Sequence, residues 1–284
     1  MPLWYETGKG MRKFSLAKKN LNTDVYICGS GPSLKKVNPF DLQVPGVLTV
    51  GLNNSYPYIR PDIWFGVDDP HCYPRKIYFE SFMKIMRGGY QNRSCEGVEI
   101  SHHCPNLFYA DCEWANSNEI FKRKDDEAIF VWTGSVTGLS LHVLIWMGAK
   151  NIYLLGTDLS NENGDYHYKG KLSKENAEYA QSAHDKTNLF YKWITKESPR
   201  HGVNLRSCTP DSKINQYMEY VPLEEALKKS QTRSLREGEL IFGSEIERDR
   251  KKQKTAVHTP RRYSGGWHET IQNKMKKESK PQQE

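Results

Sequence analysis

Between Ala128 and Gly156 the chain reads AIFVWTGSVTGLSLHVLIWMGAKNIYLLG, and this stretch limits the possible folds more than any other. Val136 to Met147 is apolar on nearly every face, so a helix there must be buried rather than laid on a surface. Gly148 is the residue type that ends such a helix. Ala128–Val131 before it and Asn151–Gly156 after it are continuous apolar runs, as expected of strands covered on both faces. Strand, helix and strand of this kind define a parallel sheet with helices on two sides. Residues 24–28, 46–52 and 61–67 are further runs of the same type. The expected class is α/β: a three-layer α/β/α sandwich around a mostly parallel, Rossmann-like sheet.

Around this frame the pattern predicts a helix near 76–87, short β segments near 97–100 and 107–110, a helix over 185–197, a strand over 203–207 and a helix from 222 to 229. Residues 159–184 are polar, contain Gly164 and Gly170 and have no period, so they read as a lid. Residues 1–23 read as a polar leader, 24–243 as one transferase-sized domain, and 244–284 as a tail. From Ser244 onward there are eleven Lys and Arg against six Asp and Glu, with few apolar residues. Such a segment does not offset its ordering entropy, so the tail is expected to be disordered, with weak contact to nucleic acid or acidic surfaces as its one partner class.

Of 284 residues, 37 % are apolar, which is enough for a sizeable core. No run of eighteen apolar residues appears and the start has no secretory pattern, so a cytoplasmic protein without a membrane span is expected. The six cysteines are irregularly spaced and read as thiols. Cys95, His102, His103, Cys104 and Cys112 contain no CxxC pair, so no metal site is expected there.

In a doubly wound sheet, ligands bind outside the carboxyl ends of the strands. Those ends deliver Gly29-Ser30-Gly31-Pro32-Ser33, Asn53, Asp68-Asp69, Thr133-Gly134-Ser135 and Thr157-Asp158. Small residues let backbone N–H groups approach a phosphate. GSGPS lacks the third glycine of the dinucleotide fingerprint, and no GxxxxGK[ST] occurs, which disfavours a dehydrogenase and excludes a P-loop. By itself the turn is equally compatible with a plain strand-to-helix connection. Ser135 before a buried helix is either its N-cap or a ligand contact. His184 lies between lid and helix, where an imidazole serves as general base near neutral pH. Tyr166 and Tyr168 in the lid carry phenols able to donate to a leaving phosphate.

VYICGSGPSL, VWTGSVTGLSLHVLIWMGAKNIYLLGTD, SAHDKTN and NLRSCTPDS occur in the order found in bacterial lipooligosaccharide sialyltransferases of the Campylobacter type, which the chain resembles over roughly residues 24–220. That resemblance implies a metal-independent, inverting transfer from a CMP-sugar. Gly29 to Ser33 would contact the nucleotide, Asn53 the sugar or phosphate, Thr133 to Ser135 the ribose side, and His184 would be the base. Tyr166 matches one leaving-group tyrosine, eight residues after Asp158, whereas Ser160 stands at the other position and Ser30 replaces the family's first-turn asparagine. RPDIWFGVDD and LLGTDLSNENGDYHY also resemble the 6-hydroxymethylpterin pyrophosphokinase group. That likeness implies ATP with Mg²⁺ held by carboxylates such as Asp68, Asp69 and Asp158. A third possibility is a non-catalytic scaffold acting through the basic tail.

Overall fold

The computed structural model describes residues 2–6, 10–15, 23–44, 46–100, 104–114, 130–132, 135–159, 165–167, 170–171 and 187–231. The tail from residue 244 lies outside them. The strands are β1 (Pro2–Glu6), β2 (Met11–Ser15), β3 (Asp24–Cys28), β4 (Val47–Leu52), β5 (Ile63–Gly66), β6 (Met83–Arg87), β7 (Ser94–Cys95), β8 (Val98–Glu99), β9 (Leu107–Ala110), β10 (Cys112–Trp114), β11 (Phe130–Trp132), β12 (Asn151–Leu155), β13 (Asp165–His167), β14 (Gly170–Lys171) and β15 (Asn204–Ser207). Among the described residues three α-helices accompany them: α1 (Val136–Trp146), α2 (residues 187–197) and α3 (Leu223–Gln231).

Nine strands form one sheet in the order β15-β12-β3-β4-β5-β6-β9-β1-β2. The seven from β15 to β9 are parallel, and β1 joins β9 antiparallel. β3, β4, β12 and β5 are buried along their whole length, as the two-sided apolar runs require. On one face Tyr26, Cys28, Tyr153 and Leu155 pack with Leu227 of α3, and Trp64, Met86 and Tyr109 pack with Tyr73 and Tyr78. On the other face Val25, Ile27, Val50, Phe65, Ile85 and Leu154 are equally buried, and α1 packs against β5 on that side. Two helical layers around a mostly parallel sheet are the class read from the sequence.

Hydrogen bonds fix α3 to the sheet. Asp24 is 1 % exposed, yet its carboxylate accepts from Asn151 Nδ2 at 2.6 Å and Ser230 Oγ at 2.7 Å. Tyr26 Oη pairs with the same Ser230 hydroxyl at 2.8 Å. A buried carboxylate is tolerated when its oxygens are satisfied in this way.

Three parts of the sequence expectation change. Residues 1–23 are more than a leader, because β1 and β2 form a hairpin on the sheet edge, with Leu3 and Phe14 buried. The helix expected near 76–87 is a 3₁₀ turn, Arg75–Phe79, followed by β6. Burial here alternates between faces: Met83 and Ile85 go to one side and Lys84 and Met86 to the other, while pairing with β5 and β9 supplies the backbone partners that a helix would have made internally. The third change concerns β11, which pairs with β10 in a separate two-stranded sheet; both edges of β12 are taken by β3 and β15. None of the six cysteines is in a disulfide, and no helix among the described residues is long and apolar enough to cross a membrane.

Candidate functional site at the strand reversal

From β3 the order advances through β4, β5, β6 and β9, then returns to β12 on the opposite side of β3. The reversal therefore falls between β3 and β12, and in doubly wound sheets the crevice that receives a ligand lies outside the carboxyl ends of such strands. β3 ends in Gly29–Ser33 and β12 ends in Gly156-Thr157-Asp158.

The two strand ends are stitched together. Gly29 N donates to Leu155 O at 2.8 Å and Gly31 N to Gly156 O at 2.9 Å. A Cβ on Gly29 would lie 2.5 Å from Gly156 O, and one on Gly31 would lie 2.7 Å from that same oxygen and 2.0 Å from Asp158 Oδ2. Gly156 has φ of +60°, so it too needs to be glycine. The glycines of GSGPS thus allow one backbone to cross another. Ser33 then gives both its N–H and its hydroxyl to Asp158, the hydroxyl at 2.8 Å. Burial raises the Asp158 carboxyl above its ordinary range, opposed by these bonds and by Lys36. Among the described residues, the N–H and hydroxyl of Ser30 have no partner.

Segment 208–212, after β15, buttresses the β12 end. Thr209 Oγ1 donates to Leu154 O at 3.2 Å and accepts from Thr157 N at 3.3 Å, and Ser212 Oγ donates to Thr157 O at 2.5 Å, with Asp158 O at 3.3 Å beside it. These bonds hold Thr157 and Asp158 in place.

One strand away, Asn53 closes β4 in the left-handed region, with φ of +45°. Trp64 Nε1 donates to its carbonyl at 2.8 Å. The Tyr73 hydroxyl accepts from Val67 N at 3.0 Å and Asp68 N at 2.9 Å, which fills both lone pairs. Its one proton then goes to Asn53 Oδ1 at 2.9 Å, the nearer alternative to Asp68 Oδ2 at 3.2 Å. The Asn53 side chain is therefore oriented with its oxygen on Tyr73 and its NH₂, unpartnered among the described residues, turned away. Burial and the nearby Asp68 charge keep the Tyr73 phenol un-ionised, well above its ordinary range. Tyr73 was not singled out from sequence, since nothing in PHCYPRK has a period or motif that marks it.

The other candidates are distributed as follows. Ser135 is the N-cap of α1, its Oγ accepting from Gly138 N at 3.0 Å. Burial raises the Tyr191 phenol of α2, which lies beside Thr137 of α1. Asp68 gives its N–H to the Tyr73 hydroxyl, while Asp69 faces His71 Nδ1 at 2.7 Å and Arg93 Nε at 3.9 Å, pairings that hold its carboxyl below the ordinary range. The two carboxylates do not converge, and among the described residues no group of three or more His, Cys, Asp or Glu is arranged for a metal ion. Thr133, Gly134, Tyr168 and His184 lie outside the described residues, and Tyr166 is described as backbone of β13 only.

The fold defines an α/β protein of the doubly wound kind, with its strand reversal between β3 and β12. Solved structures similar to it include the sialyltransferase CstII from Campylobacter jejuni in complex with the substrate analogue CMP-3FNeuAc, 17 % identical over 72 % of this chain and 88 % of that one, with a TM-score of 0.43. A second, of the sialyltransferase CST-II with a trisaccharide acceptor and CMP, is 16 % identical over 72 % and 88 %, with a TM-score of 0.44. A third, of the Campylobacter jejuni enzyme with cytidine-5'-monophosphate, is 16 % identical over 70 % and 85 %, with a TM-score of 0.41. No family model and no curated protein matches the chain.

Proposed function

We propose that the chain is a glycosyltransferase that uses a nucleotide-activated sugar, acting as the inverting sialyltransferases that its motifs resemble. The observation that carries this reading is the strand reversal between β3 and β12, which brings Gly29–Ser33 and Gly156–Asp158 to one crevice with the oriented Asn53 one strand away. That is where a doubly wound sheet receives a nucleotide. His184 and Thr133-Gly134-Ser135 belong to the same crevice in this reading.

In this reading Ser30 and the 133–135 turn receive the nucleotide, and Asn53 gives its NH₂ to phosphate or sugar. Asp158 and Ser33 shape the turn rather than touch the donor. The acceptor hydroxyl oxygen attacks the anomeric carbon while the bond from that carbon to the phosphate oxygen breaks. His184 takes the hydroxyl proton, and Tyr166, with Tyr168 two residues on, donates to the departing phosphate. No metal has a role in this scheme.

Calorimetric titration with CMP, nucleotide sugars and ATP with Mg²⁺ tests the donor class. Saturable binding of CMP or a nucleotide sugar without metal is expected. Tight binding of ATP with Mg²⁺ and of no nucleotide sugar would overturn the reading in favour of pyrophosphoryl transfer. His184→Ala should lower turnover by about 10²- to 10⁴-fold with donor affinity nearly unchanged, and full residual activity would remove His184 from the mechanism.

A further inference from the structure

A second concavity lies at the opposite end of the sheet from the strand-reversal crevice, at the amino ends of β4, β5 and β6. Its volume is about 570 Å³, within the range of small-molecule sites. Leu42, Val47 and Phe82 give it apolar walls, and all three are buried side chains. Asp62 lines it too, with one carboxylate oxygen accepting from Thr49 N at 2.8 Å. Among the described residues the other oxygen, Oδ1, has no hydrogen-bond partner. Asp62 is accessible at the cavity, yet the walls around it desolvate the carboxylate and raise it above the ordinary range. Arg60 stands at the rim but is 67 % exposed and turned to Glu80 at 3.5 Å, so it does not neutralise Asp62.

A pocket with apolar walls on one side, Gln43, Thr49 and Ser81 among its polar lining, and one open carboxylate oxygen is matched by a cation that carries an apolar body. A neutral donor can hydrogen-bond this oxygen but does not balance its charge, and an anion is repelled by it. We infer that this cavity is a second ligand site, distinct from the crevice, that takes a small organic amine: its ammonium donates to Asp62 Oδ1 and its apolar part lies against Leu42, Val47 and Phe82. The site sits on the amino side of the sheet, so its occupancy does not compete with the crevice.

Benzylamine is the probe, with benzyl alcohol as the neutral isostere, followed by calorimetry or by amide chemical shifts in the full chain. Expected is saturable benzylamine binding at least tenfold tighter than benzyl alcohol, shifts centred on Asp62 and Phe82, and loss of the preference in Asp62→Asn. Binding should also weaken as acid protonates Asp62. Ser81→Trp, an exposed rim substitution, should block the probe while leaving Asp62 intact, and it serves as the test if Asp62→Asn does not fold. Equal binding of the alcohol, unchanged benzylamine binding in either folded variant, or no saturable binding would each overturn the inference.

Discussion

Replacing Gly29 with alanine separates two explanations of the GSGPS turn. If its glycines exist for a ligand, the variant folds as well as the parent and loses only donor affinity. If they exist because β3 and β12 cross there, the damage is to stability. The added Cβ would stand 2.5 Å from Gly156 O, against about 3.4 Å for ordinary contact, so the two strand ends must part by about 0.9 Å. Both partners are backbone, so no side chain can swing aside. The same two segments are joined by the 2.8 Å bond from Gly29 N to Leu155 O and the 2.9 Å bond from Gly31 N to Gly156 O. Overpacking costs about 1–3 kcal/mol, and losing one of those bonds adds about 0.5–1.5 kcal/mol. The expected loss is about 1.5–4.5 kcal/mol, read by urea denaturation as a midpoint lowered by roughly 1 M at the usual slope for a domain of this size. Ser30→Ala, whose side chain has no partner among the described residues, is the control and should stay within about 0.5 kcal/mol of the parent. A Gly29→Ala protein as stable as that control would refute the crossing argument.

Other consequences follow from single groups. Tyr73→Phe leaves the N–H groups of Val67 and Asp68 without an acceptor, at about 1–3 kcal/mol of stability by denaturant melt, and unlocks Asn53, which should weaken donor binding several-fold. Lys84 is fully buried with its Nζ on the carbonyls of Glu80 and Phe82, and burial pushes it down to about 8. Because the unfolded lysine holds its proton more tightly, wild-type stability should rise as pH climbs from about 8 through the ordinary lysine range, by up to roughly 3 kcal/mol. Lys84→Met should flatten that rise, and a parent profile already flat there would contradict it. Leu159 adopts φ of +52°, so Leu159→Gly should stabilise by about 0.5–1 kcal/mol in a thermal melt.

How much was legible follows from the physics of each feature. Burial on both faces writes itself into a strand as an unbroken apolar run, which is why β3, β4, β5 and β12 could be read directly. β6 could not, because Lys84 interrupts its pattern and is satisfied by backbone carbonyls that lie two and four residues away. The hairpin β1–β2 was hidden for a related reason: edge strands are covered incompletely, and Arg12 and Lys13 on it read as polar leader. At the crevice the sequence located the strand ends but not their use. The second glycine of GSGPS is explained by Asp158, 127 residues further on, and such a partner has no local signal. The same holds for Tyr73, which acts through Asn53 twenty residues before it.

That use bears on what the crevice selects. A phosphate nest aims several backbone N–H groups at an anion, but here the N–H groups of Gly29, Gly31 and Ser33 are all committed within the chain. Asp158 occupies the place of the anion over Ser33, and Asp68 stands at the neighbouring strand end. Two fixed carboxylates oppose a polyanion more than a singly charged phosphodiester, since each added negative charge meets the same repulsion. A nucleoside monophosphate joined to a sugar carries the smaller charge and offers hydroxyls to Ser30 and the Asn53 amide. A triphosphate would need a divalent cation to bridge it to those carboxylates. For the donor proposed above, the two carboxylates thus oppose a triphosphate more than a phosphodiester-linked sugar.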